Sequence, residues 1–159
     1  MQFINYLLAL IVTFLGLYVG ALLGFICAEE LRVGQKYFLI IKKLLLLLIF
    51  LITIFQLFIS GYYIWLVMVF SLAYYLIKKN TKDSLLFSSI FLSAAFYLSS
   101  FNADIFLLIS SLIFVYALPI GTMIVYANKK SNNKDIMKLI FKHNYVYLVL
   151  PILLYYMHL

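Results

Sequence analysis

The sequence predicts an all-α membrane protein, a polytopic bundle of six transmembrane helices with both termini outside the cytoplasm. Of the 159 residues, 67% are hydrophobic and 11% are charged, and the apolar residues gather in runs long enough to cross a bilayer. A soluble domain carries about a quarter charged residues and buries only about two thirds of its chain surface. The bilayer must therefore solvate most of these side chains.

The apolar runs form a single domain over residues 1–159. The first run is longer than the apolar core of a signal peptide and no basic segment precedes it, which predicts a retained helix. The third and fourth runs are short, so they imply local thinning of the bilayer, use of flanking polar residues, or little tilt. The predicted helices cover approximately residues 3–28, 38–60, 62–77, 84–101, 104–127 and 137–159.

Turn and cap residues separate the runs. Gly61 predicts a tight reversal between the second and third helices. Asp104 is expected to cap the fifth helix, and Asn102 is the alternative cap. Pro119 and Pro151 are expected to bend the fifth and sixth helices.

All twelve basic residues fall on one side of the six-helix arrangement. They are Arg32, Lys36, Lys42 and Lys43 between runs one and two, Lys78, Lys79 and Lys82 between three and four, and Lys129, Lys130, Lys134, Lys138 and Lys142 between five and six. Basic residues concentrate in cytoplasmic segments, so three hairpin turns are predicted to be cytoplasmic. Both termini then lie on the outer side of the plasma membrane.

The net charge of +7 is explained by this topology. The basic residues form short clusters, and no basic face is long enough to follow a phosphate backbone, so nucleic acid is not an expected partner. The expected partners of the loops are anionic lipid headgroups. A homo-oligomer or a membrane-protein partner is also compatible with the pattern.

Small residues predict where helices pack. Gly16, Gly20 and Gly24 are spaced by four and form one stripe on the first helix, which lets another helix come close. Ser89 and Ser93 repeat the spacing on the fourth helix. The alternative for the glycine stripe is a smooth wall along the path of a solute or lipid.

A polar cluster follows the first helix. Glu29 and Glu30 stand where the helix dipole is negative, so Arg32 and Lys36 are expected to pair with them in a hairpin that bends at Gly34. The alternative is a cytoplasmic mouth or partner site where a glutamate meets a cation.

Uncharged polar residues are candidates for a solute path: Gln56, Ser93 and Thr122. No charged residue is predicted near mid-depth of the membrane, which disfavours proton-coupled and ion-coupled transport. Lys42 and Lys43 are expected to carry their charges back to the headgroups on long side chains.

No catalytic, metal or cofactor site is expected. One cysteine, Cys27, and two histidines, His143 and His158, do not make a zinc cluster. Nucleophile-elbow, metalloprotease and phosphate-loop motifs do not occur. Glu29 and Glu30 alone provide few carboxylates for metal-assisted phosphate chemistry.

One segment resembles a known group. The pattern Gly20-x-x-x-Gly24 followed by Glu29-Glu30-Leu31-x-x-Gly34-x-Lys36-Tyr37-Phe38 is similar to the first hairpin of small multi-pass membrane proteins of archaea whose activity is not known. The likeness covers about twenty residues. It implies an archaeal plasma membrane and a six-helix layout, and it implies no activity or binding residues.

The favoured function is a non-enzymatic structural or accessory helix bundle that binds lipids or a partner membrane protein. The alternative is a transporter or channel for a small uncharged solute or a lipid, with the glycine face and the Pro119 bend forming its path. A third hypothesis is a lipid-modifying enzyme with Glu29 or Glu30 as acid and base.

Overall fold

The computed structural model describes residues 3–27, 31–59, 84–128 and 132–158. These ranges contain no strand and five helices: α1 (Phe3–Ile26), α2 (Leu31–Ile59), α3 (Ser84–Ser99), α4 (Ala103–Ala127) and α5 (Asn133–His158). The predicted all-α class is confirmed. The predicted third helix, residues 62–77, lies outside the described residues, as do Gly61 and the basic cluster at 78–82.

Four of these helices are long and apolar enough to cross a membrane: Phe3–Ile26, Gly34–Ile59, Ala103–Ala127 and Asn133–Met157. The fifth, α3, is apolar but shorter. Many large apolar side chains on the long helices point away from the bundle, for example Leu44, Phe55 and Leu107. This surface is compatible with a membrane protein.

Two helices begin earlier than predicted. α2 begins at Leu31 and α5 at Asn133, whereas the sequence predicted starts near 38 and 137. Hydropathy marks only the apolar part of a helix, and Arg32 and Lys36 are good helix formers that extend it. Gly34 therefore lies inside α2, and the prediction that it forms the bend of the hairpin is wrong.

Asn102 is the N-cap of α4. Its side-chain oxygen accepts from the backbone N–H groups of Asp104 and Ile105 at 3.1 and 3.4 Å. The prediction that Asp104 is the cap is wrong, since the helix has already begun at Ala103. Asp104 instead lies in the first turn, where a carboxylate favours the positive end of the dipole.

Both prolines lie inside continuous helices, Pro119 in α4 and Pro151 in α5. The helices therefore continue through both positions at which the sequence predicted a bend. The Pro151 carbonyl oxygen accepts a hydrogen bond from the Tyr6 hydroxyl at 3.1 Å, which ties α5 to the beginning of α1.

α1 and α4 touch backbone to backbone. A Cβ atom built on Gly20 would overlap the Leu118 carbonyl oxygen, and one built on Gly121 would overlap the Leu17 carbonyl oxygen. Gly24 lies against Val125 in the same interface. Because Gly20 meets Leu118 and Gly24 meets Val125, the two helices run in the same direction.

An aromatic cluster identifies one end of the bundle, which we call the aromatic end. It joins Tyr6, Phe96, Phe106 and Tyr155, with ring centroids 4.8 Å apart for Tyr6 and Tyr155 and 5.0 Å apart for Phe96 and Phe106. The beginnings of α1 and α4 and the ends of α3 and α5 meet here. α5 is therefore antiparallel to α1.

α2 and α3 run in the same direction. The rings of Phe50 and Phe91 lie 6.0 Å apart, and the Gln56 Nε2 atom donates to the Leu98 carbonyl oxygen at 2.7 Å. Contacts that advance together along both helices are those of a parallel pair. α2 therefore ends at the aromatic end, where α3 also ends.

The opposite end of the bundle, which we call the basic end, contains the ends of α1 and α4 and the beginnings of α2, α3 and α5. The basic residues of the described chain all lie in the first halves of α2 and α5: Arg32, Lys36, Lys42, Lys43, Lys134, Lys138 and Lys142. The described part of the chain thus has one strongly basic end.

Candidate functional site

An apolar groove opens on the side of the bundle. α1 and α2 both pack on α4, but their described parts barely touch each other, so a gap of about 430 Å³ lies between them. α4 forms its floor with Val115, Leu118, Pro119 and Thr122. One wall is Leu23 of α1 with Cys27, which directly follows α1, and the other is Gly34, Phe38 and Ile41 of α2.

The local sequence explains the shape of this groove. Val115, Leu118, Pro119 and Thr122 follow helical spacing and share one face of α4. Gly34 contributes no side chain to the opposite wall, which leaves space next to Phe38. The groove therefore has an apolar floor and an open side, and Thr122 contributes a hydroxyl group to the floor.

Lys42 lies on the packed face of α2. The buried residues Ile49, Thr53 and Gln56 follow Lys42 at seven, eleven and fourteen positions, a spacing that keeps them on one face of a helix. Lys42 is half-buried, whereas its neighbour Lys43 is exposed. Lys42 also follows Ile41 directly and stands one turn from Phe38, two residues that line the groove.

The sequence alone did not separate Lys42 from Lys43, since both were expected to reach the lipid headgroups. The signal that separates them is the phase of the small and polar residues along α2, Gly34, Thr53 and Gln56. That phase becomes informative only once the packed face of the helix is known.

A second, much smaller cavity of about 20 Å³ lies inside the bundle, among α1, α3, α4 and α5. It has room for about one water molecule. Its polar lining comes from Thr13, Ser88, Ser89, Tyr116, Asn144 and Tyr147. The Tyr116 hydroxyl is buried, and the nearby polar residue is Ser88.

The three residues predicted to line a solute path lie apart. Gln56 binds the Leu98 carbonyl between α2 and α3. Ser93 and Thr122 donate to carbonyl oxygens of their own helices, at Ser89 and Pro119. Of the three, only Thr122 borders either cavity, and that cavity is the apolar groove.

The residues predicted to pack are buried. Gly16, Gly20 and Gly24 all lie against α4, so this stripe is an interface and presents no open wall to a solute. Ser89 and Ser93 are buried on α3, which packs mainly on α5. Ser89 also borders the small polar cavity.

The predicted mouth at the basic end is only partly described. Glu29 and Glu30 lie outside the described residues. Arg32 lies in the first turn of α2, Lys36 is exposed, and Cys27, at the end of α1, is exposed in the groove. No group of three His, Cys, Asp or Glu side chains comes together within the described ranges.

Comparison of the whole chain with known protein families, curated proteins and solved structures finds no match.

Proposed function

We propose that this chain is an integral protein of the cell membrane, an accessory helix bundle that binds lipid in its lateral groove and performs no chemistry of its own. The long helices support the membrane setting because they direct large apolar side chains outward along their length. α2 is the clearest case, since little of its apolar stretch is buried within the bundle.

We propose six membrane crossings. α2 ends at the aromatic end and α3 begins at the basic end, so the chain between Ile59 and Ser84 joins opposite ends of the bundle. The apolar stretch 62–77 has 16 residues, which as a helix would be about 24 Å long. That length suits a crossing of a locally thin bilayer.

The orientation that we propose places the basic end in the cytoplasm and both termini outside. It is supported by the described lysines, which all lie in the first halves of α2 and α5. Asp104, the acidic residue at the aromatic end, lies on the opposite side.

The lipid-binding role is carried by one observation, the apolar groove between α1 and α2. Its volume of about 430 Å³ lies in the range of ligand pockets, about 300–1,000 Å³. It opens sideways between two helices that face the bilayer, so a lipid can enter without leaving the membrane. The interior cavity, at about 20 Å³, offers no comparable space for a solute.

The test is retention of lipid by purified protein, measured by native mass spectrometry after mild detergent extraction. Val115→Trp fills the floor of the groove, and Leu108→Trp places the same side chain two turns away on α4. The two positions are similarly exposed, at 43% and 46%, which makes the pair a matched control.

We expect bound lipid on the wild type and on Leu108→Trp, and its loss from Val115→Trp. Equal lipid retention by all three proteins would contradict a role for the groove. A wild type without lipid would contradict the proposed function itself.

A further inference from the structure

We propose that the groove selects an anionic phospholipid, whose acyl chain lies against the apolar walls and whose phosphate meets the ammonium group of Lys42. This inference rests on the proposed function, because it names the class of lipid that the groove takes. The observation behind it is the position of one lysine on the packed face of α2.

A lysine on this face needs a counter-charge. A charged side chain within the apolar part of a membrane helix is costly, so such residues generally pair or face a functional cavity. Lys42 is half-buried and follows directly after Ile41, which lines the groove. Lysine side chains on helices lean towards the N-terminus. We therefore place the ammonium group near Phe38, at the edge of the groove.

The acidic residues that the structure describes are poorly placed to supply that charge. Asp104 stands at the aromatic end, and Asp135 is exposed on α5, which hardly packs against the described part of α2. Glu29, Glu30 and Asp83 lie outside the described residues, and the first two precede Leu31, which lies about 17 Å along the α2 axis from Lys42. A ligand with its own negative charge meets the need more directly.

The groove and its charge together define an amphiphile. The walls Leu23, Phe38 and Val115 suit a hydrocarbon chain, and the opening faces the bilayer. Lys36 is exposed near the same end of α2 and adds positive charge where the headgroup would enter. An anionic phospholipid of the same leaflet has an acyl chain for the apolar walls and a phosphate group for the lysines.

The experiment compares binding of phosphatidylglycerol and phosphatidylcholine by the full chain in nanodiscs of defined composition, with bound lipid counted by native mass spectrometry. Cys27 gives a second measurement, because this native thiol is exposed in the groove and its maleimide labelling should slow when a lipid occupies the site.

We expect the wild type to prefer phosphatidylglycerol and Lys42→Gln to lose that preference by about fivefold, a typical contribution of one basic residue near an anionic lipid. Lys43→Gln is the matched control: it removes the same charge from the adjacent, exposed position and should leave the preference unchanged. Lys42→Arg keeps the charge and should retain it.

Equal losses in Lys42→Gln and Lys43→Gln would overturn the proposal, since they would show a general attraction of the basic surface. Lipid bound in the groove without preference for phosphatidylglycerol would also overturn it, while leaving the proposed function intact. A wild type that binds neither lipid would overturn both, with the groove closed by another part of the chain or by a second copy.

Discussion

Hydroxyl groups inside the bundle form a hydrogen bond whose direction can be deduced. Thr13 Oγ1 donates to the Leu10 carbonyl oxygen at 2.8 Å and lies 2.9 Å from the Tyr147 hydroxyl. A threonine hydroxyl has one proton, and the carbonyl accepts it. The Tyr147 hydroxyl must therefore be the donor to Thr13.

This direction predicts unequal effects of two substitutions. Tyr147→Phe removes a donor but leaves Thr13 bonded to Leu10, so we expect a loss of unfolding free energy of about 0.5–1 kcal/mol. Thr13→Val removes the acceptor of the buried Tyr147 hydroxyl, and we expect a loss of unfolding free energy of about 1–3 kcal/mol. Reversible unfolding in mixed detergent micelles measures both. A larger effect of Tyr147→Phe would contradict the assigned direction.

The glycine contact between α1 and α4 predicts a second pair of effects. A methyl group at Gly20 would overlap backbone atoms of Leu118, which cannot move without shifting α4. We expect Gly20→Ala to lower the unfolding free energy by about 1–3 kcal/mol, the usual cost of overpacking. The same measurement in detergent micelles applies.

Gly34→Ala is the control for this prediction. A methyl group there would meet only the outer part of the Phe38 ring, at 3.2 Å, and that ring can turn aside. Alanine is also the better helix former by about 1 kcal/mol, so stability should be unchanged or higher. If both alanine variants were equally stable, close backbone packing of α1 and α4 would be excluded.

At the scale of single elements, the end of α3 shows how a short apolar helix satisfies its backbone. The last carbonyl groups of a helix have no partner within it, and lipid supplies none. Here the carbonyl oxygen of Phe96 accepts from Ser99 Oγ, and that of Tyr97 accepts from Ser100 Oγ. The carbonyl oxygen of Ser99 accepts from the backbone N–H of Asn102. The remaining carbonyl oxygen, that of Leu98, accepts from Gln56 on α2.

Gln56 is therefore predicted to stabilise the end of α3 from a neighbouring helix. We expect Gln56→Leu to lower the unfolding free energy by about 1 kcal/mol, because the buried Leu98 carbonyl loses its donor. Thr53→Val, one turn away and equally buried, should have a much smaller effect, since the Thr53 hydroxyl bonds only to Ile49 of its own helix.

Hydrogen exchange gives a local test of the same contact. Amide groups near the end of α3 should exchange faster in Gln56→Leu than in Thr53→Val. Equal exchange rates in both variants would contradict a specific role for the hydrogen bond from Gln56 to the Leu98 carbonyl oxygen.

At the scale of the whole molecule, the parallel direction of α2 and α3 supports the six crossings that we propose. Helices that follow each other closely in the chain are antiparallel here. This holds for α1 and α2 and for α4 and α5. A parallel pair requires the connecting chain to return first. Six crossings with the lysines in the cytoplasm satisfy this requirement and the charge distribution together.

Accessibility of single cysteines tests this topology in a Cys27→Ser background. An impermeant maleimide should label Ala103→Cys in intact cells, because this residue lies at the aromatic end, which we place outside. Asn132→Cys and Asn80→Cys should react only after the membrane is permeabilised. Labelling of Asn80→Cys from outside would show that the chain between α2 and α3 does not return, and the six-crossing topology would be wrong.

Much of the architecture could be predicted because it depends on properties local to each segment. A run of apolar residues forms a helix in lipid whatever its neighbours, so α1 and α4 were placed to within two residues at each end. The start of α2 was missed because Arg32, Gln35 and Lys36 lower the hydropathy of a segment that is nonetheless helical. Hydropathy reports solvent preference and does not report backbone conformation.

The chain by itself determined that this protein is a bundle of apolar helices, since the cost of exposing backbone groups to lipid leaves no other structure for such segments. Its small residues also marked the face of α1 that contacts another helix. Only the tertiary structure decided that α4 is the partner of that face, that α1 and α2 stand apart, and that Lys42 faces inward while Lys43 does not. These features depend on contacts between residues far apart in sequence, and neither spacing nor composition encodes which helices meet.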